Sequence, residues 1–356
     1  MMNDTADNLQ ASEIQENNSL RVKLINFNEI HDDDCLRMNS GLDTFHVDAE
    51  ICLHDLFQKL KEKMRSRKRI PKAFSRKFEA TERIGDNIVS NPYDAKISYK
   101  LQYIVISDYS SHLIHVFDLV SKELKTSFKS GYPMYLEIDE YHSPHSDALL
   151  VACDVYPARS VYKYDLLMLF SKQSNDDFVS SRGGSIVINK SFVWKTENLG
   201  WPQGIACTPN FVYVCDSYDH SRCVYMINRQ TGATITTISV GQACYGIAVA
   251  RNEKQFFVGK GNGDIDLVEM THDNQYVITN YYKMKHSGSC YGLIYDRASD
   301  VILGALSNIT VLSMDGTVLK IAKDSTLKGA KGFCLNELEG ELYICSRAPA
   351  HVTIVK

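Results

Sequence analysis

The fold the sequence predicts is all-β: a six-bladed β-propeller of four-stranded antiparallel blades, closed by an N-terminal strand in the last blade. Three observations predict it. A short phrase recurs six times, a small or Pro residue, any residue, a Gly or its stand-in, then apolar residues, opening at Pro92, Pro133, Pro202, Cys244, Cys290 and Ala330. The openings are 41, 69, 42, 46 and 40 residues apart, and a period near 40 to 45 with several short strands per repeat is that of a propeller blade. The strands that follow are continuous apolar runs, as expected where neighbouring sheets cover both faces.

Blade one shows the unit. Residues 103–106 form a second strand, 113–117 a third and 124–128 a fourth, with a polar turn between the last two. Second strands are predicted in the later blades at 148–152, 211–214, 256–258, 301–303 and 342–344, and third strands at 161–164, 224–227, 265–268, 309–312 and 352–355. Turns at 228–232, 273–274 and 315–316 separate third from fourth strands with Asn, Asp and Gly. The interval of 69 residues is read as loop insertions in blade two, at 142–147 and 171–184, with a degenerate seventh blade as the alternative.

The sixth copy runs out after its third strand, and an open ring would expose strand edges. Residues 74–84 have the length and apolar pattern to supply the missing strand, so the propeller is expected to span 73–356. Residues 1–72 read as a disordered tail. Residues 1–58 hold twelve Asp/Glu against three Lys/Arg, and 59–77 hold ten Lys/Arg against one Glu. Ile51, Leu53, Leu56, Phe57, Leu60 and Met64 give an approximate helical stripe within it. The run Arg65-Ser66-Arg67-Lys68-Arg69 reads either as a solvated face or as an import-like or acidic-surface-binding cluster.

Composition is that of a soluble globular chain. The first 20 residues are polar and acidic, and no apolar run reaches the length of a membrane span, so a cytoplasmic location, or a nuclear one, is expected, without membrane contact. Ten cysteines occur without a Cys-x-x-Cys pair, mostly inside strand-like runs, and read as reduced, buried thiols.

The phrase Trp201-Pro202-Gln203-Gly204-Ile205-Ala206 with Val212-Tyr213-Val214-Cys215-Asp216, and the weaker Asn91-Pro92-Tyr93-Asp94-Ala95 with Val105-Ile106-Ser107-Asp108, resemble the NHL-repeat class of six-bladed propellers. The resemblance covers roughly residues 74–356 at the level of fold. It departs from the pattern where Pro is lost from blades four to six. The strand-end Asp survives only as Asp108, Asp154 and Asp216, and Asp94 and Tyr135 stand where the spacer Gly belongs.

In a propeller, strand one begins on the rim where strand two ends. The variable residues of the opening phrases, Tyr93, Met134, Gln203, Tyr245, Tyr291 and Lys331, and the strand-two ends Asp108, Asp154, Asp216, Lys260 and Arg347 are therefore expected on one face around the channel. Tyr and Met are favoured at interface cores, so this face is the predicted contact surface for a protein or peptide, and the chain is read as a non-catalytic scaffold, monomeric and without cofactor. The plainer reading is that the Asp residues cap turns and the tyrosines pack between blades.

Two other functions are weighed. Calcium-dependent lactonase-like propellers hold the ion with many oxygen ligands at the channel mouth. Asp108, Asp154 and Asp216 cover half a ring and Lys260 occupies a fourth equivalent place, so neither a metal site nor a catalytic residue is assigned. The histidines do not recur at one blade position, and His142-x-x-His145 has no evident third ligand. NHL propellers that bind single-stranded RNA imply a basic rim, whereas residues 86–356 hold 25 Lys/Arg against 28 Asp/Glu.

Overall fold

The computed structural model describes residues 70–155, 159–170, 191–271, 275–284, 288–324, 327, 329–347 and 350–356. The expectations for the tail, its helical stripe and basic cluster, the 171–184 insertion and the 273–274 turn fall outside these residues, apart from positions 70–77.

Six four-stranded antiparallel sheets form a ring. Blade one comprises β2 (Pro92–Ser98), β3 (Tyr103–Asp108), β4 (Leu113–Asp118) and β5 (Leu124–Lys129). Blade two comprises β6 (Pro133–Asp139), β7 (Ala148–Cys153), β8 (Ser160–Asp165) and β9 (Phe192–Thr196), with a short helix α1 (Leu166–Phe170) after β8. Blade three holds β10 (Pro202–Cys207), β11 (Phe211–Asp216), β12 (Cys223–Asn228) and β13 (Thr234–Ser239). Blade four holds β14 (Cys244–Val249), β15 (Gln255–Lys260), β16 (Ile265–Met270) and β17 (Tyr276–Tyr282). Blade five holds β18 (Gly292–Asp296), β19 (Val301–Ala305), β20 (Ile309–Ser313) and β21 (Val318–Ile321). Blade six holds β22 (Phe333–Asn336), β23 (Glu341–Arg347), β24 (Ala350–Val355) and, outermost, β1 (Ala80–Ile84).

The inner strands β2, β6, β10, β14, β18 and β22 pack on one another in sequence, and β22 returns to β2. Burial follows radius. The second strands β7 and β19 are buried along their whole length, whereas the outer strands β5, β13 and β21 are largely exposed. Apolar clusters fill the wedges between blades; one joins Val212, Val214 and Ile227 of blade three to Leu150 and Val161 of blade two. The eight described cysteines are free thiols, and all but Cys207 are buried.

Closure is non-covalent between the two ends of the described chain. β1 pairs antiparallel with β24, matching Ile84 to Val352 and Arg83 to Thr353. The strand is shorter than the 74–84 expected, because Arg76 and Phe78 adopt left-handed backbone (φ 64° and 60°) that breaks extended structure. The preceding residues act as an anchor instead. Phe74 and Phe78 stack edge to face at 5.1 Å inside the apolar cluster of blades five and six, and the Phe74 N–H donates to Asp296 Oδ2 at 3.1 Å.

The 69-residue interval contains no seventh blade among its described residues. It holds the 140–147 connection and α1, with His142 Nε2 3.0 Å from Asp165 Oδ2 and the Ser146 hydroxyl donating to Asp165 Oδ1 at 2.8 Å. On this same rim a buried ion cluster ties blade two to blade three. Lys163 Nζ lies 2.6 Å from Asp139 Oδ2, and Arg229 Nη1 lies 3.1 Å from the same oxygen.

Candidate functional site

The rim on which the inner strands begin is fixed by pairing: Pro92 faces Asp108, Pro133 faces Cys153, Pro202 faces Asp216 and Cys244 faces Lys260. All six predicted rim residues from the opening phrases, and the strand-two ends, therefore lie at one end of the channel. They do not lie equally open. Tyr93, Met134 and Gln203 are buried, whereas Tyr245, Tyr291 and Lys331 are partly exposed.

Asp108 and Asp216 are buried and occupied. Asp216 accepts main-chain N–H bonds from Gly200 (2.6 Å), Trp201 (2.9 Å) and Tyr218 (2.8 Å), and a bond from the Ser221 hydroxyl (2.7 Å). Asp108 does the same with the N–H groups of Ser90 (2.7 Å) and Asn91 (3.0 Å), and His115 Nε2 lies 3.6 Å away. Burial alone would raise the Asp108 carboxyl, but the nearby His115 imidazole and the bonds from Ser90 and Ser111 outweigh it and hold the group below the usual carboxylate range. These two carboxylates fix the loops that lead into their blades. Asp154 differs: β7 ends at Cys153, so Asp154 stands one residue further on and pairs with Arg159 Nε at 2.6 Å. Lys260 folds back onto Asp266 at 2.8 Å. Among the described residues, no group of three or more His, Cys, Asp or Glu side chains converges in a way that could hold a metal ion.

The character of the channel is decided at the third position of the opening phrases. Four of the opening phrases carry Gly there, where neighbouring blades nearly touch. A Cβ on Gly204 would stand 2.3 Å from the Tyr245 carbonyl oxygen, and one on Gly332 would stand 2.1 Å from Asp94 Oδ1. In blades one and two the same position carries Asp94 and Tyr135, and these two side chains fill the axis. Asp94 accepts from Leu136 N–H (3.0 Å) and is bridged by Lys96 Nζ (2.9 Å), while the Tyr135 hydroxyl donates to the Tyr291 carbonyl of blade five at 2.8 Å. The space left between Asp94, Lys96, Tyr135 and the glycine strands is about 20 Å³, against several hundred for a small-molecule pocket. Two positions on from Tyr135, Glu137 is a further, half-buried ionisable group beside this set. Burial pushes its carboxyl up to about 8, with Lys96 opposing and Asp94 and Glu140 adding to the rise. The signal was present in the sequence as the loss of Gly at positions 94 and 135.

Around the plugged axis runs an arc of aromatic side chains. Tyr245 and Tyr291 stand 5.2 Å apart between ring centres, and Lys331 Nζ lies 3.1 Å over the Tyr291 ring. In blade three, Trp201 is 39% exposed with the Arg159 guanidinium 4.6 Å above its ring, and Tyr218 is 41% exposed beside His220. Opposite, Tyr93 packs edge-on against Tyr135 at 5.1 Å, and Tyr109 leans on both Tyr93 and Tyr132. The charges on this rim are largely balanced: Arg159 is paired with Asp154, and Arg222 with Asp219 at 3.3 Å. No helix among the described residues is long and apolar enough to cross a membrane.

Comparison with known proteins supports the fold and goes no further. No family model matches the chain, and no curated protein does. Solved structures match at the level of shape. A chain named a gluconolactonase is 13% identical with a TM-score of 0.56, covering 80% of this chain and 93% of its own. The β-propeller domain of Cps50 (Swd1) from Myceliophteria thermophila is 9% identical at 0.55, covering 78% and 99%. A luciferin-regenerating enzyme is 11% identical at 0.53, covering 75% and 91%.

Proposed function

We propose that the chain is a non-catalytic interaction module, an NHL-like propeller that engages a protein or peptide through the channel rim on which its inner strands begin. The observation that carries this reading is the arc of partly exposed aromatic side chains, Trp201, Tyr218, Tyr245 and Tyr291, set around an axis that Tyr135 and Asp94 have filled. Rigid aromatic surface with stacked cations is the composition of interface hot spots. The balanced charge of the rim suits a peptide better than a phosphate backbone, which draws its affinity from unpaired Lys and Arg.

The shared fold with a gluconolactonase-named chain and a luciferin-regenerating enzyme motivates a hydrolase as the competing reading. It ranks second because Asp108 and Asp216, the best-placed carboxylates, are buried and already accept main-chain N–H bonds. The test is capture from native extract by the full chain, with and without ribonuclease, using wild type and Tyr245→Ala/Tyr291→Ala. A nuclease-resistant protein partner lost on double substitution, at a cost of about 1–4 kcal/mol in affinity, is expected. Nuclease-sensitive capture would replace the peptide reading with RNA. Stoichiometric calcium retained through dialysis would promote the hydrolase.

A further inference from the structure

The outer wall of the ring is protected unevenly. Among the described residues every blade ends in an outer strand with one unpaired edge, and native sheets guard such edges with charge, above all with Lys. Four outer strands follow this rule: β1 carries Glu82 and Arg83, β5 Lys125 and Lys129, β9 Lys195 and β21 Lys320. The two that do not are neighbours. β13 reads TITTIS and β17 reads YVITNYY, with no charged residue in either. Both are rich in Thr, Ile, Val and Tyr, the residues that best suit a pleated strand.

Between these two edges the blades splay to leave a groove of about 690 Å³. Its floor is closed where the Tyr276 hydroxyl meets Met226 Sδ at 2.9 Å, and Phe211, Met270 and Ile278 form the sides. Ile235 on one lip is 49% exposed. The described residues lining the groove are all uncharged, and five of them, Ile235 to Ser239, are consecutive along β13, against Tyr276 and Ile278 from β17.

We propose that an extended, uncharged segment of a partner protein adds to the free edge of β13 as a fifth strand of blade three, placing apolar side chains at alternate positions in the groove. Main-chain hydrogen bonds to β13 would supply affinity, and the groove would read the alternate side chains. Charge complementarity selects the occupant: a Lys, Arg, Asp or Glu entering the groove would lose hydration with no ion among the described lining residues to meet it. Met226 and Met270 let the groove adapt to apolar side chains of differing shape. The surface is independent of the rim, lying on the outer wall rather than around the axis.

The test uses the full chain and a phage-displayed library of linear nonapeptides, with an enriched sequence remade as a fluorescein-labelled peptide and titrated by anisotropy. Enriched sequences should be uncharged with large apolar residues two apart. Binding should weaken at least tenfold with Ile278→Lys or Thr236→Pro and be unchanged with Tyr245→Ala/Tyr291→Ala. On wild type, amide exchange at 234–239 should slow when peptide is added, and N-methylation of one alternate set of peptide amides should weaken binding at least tenfold, a readout that needs no variant to fold. The proposal is overturned by an absence of enrichment, by binding that tolerates N-methylation of either set, or by protection at the rim instead. A concentration-dependent dimer that Ile278→Lys dissolves would assign the edge to a second copy and overturn it equally.

Discussion

The hydroxyl of Tyr135, on the inner strand of blade two, donates a 2.8 Å hydrogen bond to the main-chain carbonyl of Tyr291, immediately before the inner strand of blade five. One side chain thus crosses the axis and joins two non-adjacent blades. Burial raises its phenol well above the ordinary range, so the group stays a donor throughout the physiological pH range. Tyr135→Phe leaves the carbonyl without this donor and should cost about 1 kcal/mol; Tyr135→Ala also empties the axis and should cost about 3–5 kcal/mol. Urea denaturation monitored by tyrosine and tryptophan fluorescence measures both. Equal stability of the two variants would show that the ring collapses around the missing ring.

The blade count, the strand order and the closing strand were legible because each rests on a period. Apolar runs recur with the blade, and a sixth copy short of one strand asks for a donor. The axial plug was legible only as an irregularity: Asp94 and Tyr135 stood out as departures from Gly, but nothing local to residue 135 says that its ring will reach residue 291. Exposure around the rim was not legible either. Gln203 and Tyr245 occupy the same phrase position, yet Gln203 is buried and Tyr245 is partly exposed, a difference set by tertiary surroundings that the phrase itself does not carry.

Closure by β1 makes the N-terminal segment of the propeller indispensable. Without it β24 becomes an edge, and Phe74, Phe78 and Ile84 leave their apolar clusters. Removing residues 1–69 should leave a cooperatively melting protein. Removing 1–85 should give aggregation, as expected of an exposed flat edge. Light scattering during a thermal ramp distinguishes the two, and indistinguishable ramps would refute the role of β1.

Glu137 should make stability fall as pH rises. Below about pH 4.5, its ordinary value, the carboxyl is largely protonated in both folded and unfolded chains and contributes no difference. Between there and about 8 the unfolded chain releases the proton while the folded chain retains it, so the balance shifts toward unfolding. Glu137→Gln removes that dependence. With each pKa unit worth about 1.4 kcal/mol, the variant should match wild type near pH 4 and exceed it by about 1–4 kcal/mol at pH 9. Parallel urea curves across that range test it, and a gap that does not widen with pH would place the Glu137 carboxyl in contact with solvent.

The ion cluster of Asp139, Lys163 and Arg229 should behave as one unit. Lys163 is buried, bonded to Asp139 at 2.6 Å and to the Arg229 carbonyl at 2.9 Å, with its ammonium 5.6 Å from the centre of the Trp194 ring. Arg229 reaches from blade three to the Tyr141 carbonyl in blade two at 2.8 Å, so the cluster is also a bolt between blades. Taking a cation from a buried pair strands the partner carboxylate, and Lys163→Met should cost about 3–5 kcal/mol. Asp139→Asn in the same chain removes the stranded charge while leaving an oxygen for the Tyr141 N–H, which now sits 2.9 Å from Asp139 Oδ1. The double variant should therefore be more stable than the sum of the single losses, by about 1–3 kcal/mol of coupling in a double-mutant cycle. Strict additivity would mean that Arg229 alone compensates Asp139 and that Lys163 contributes only its packing against Trp194.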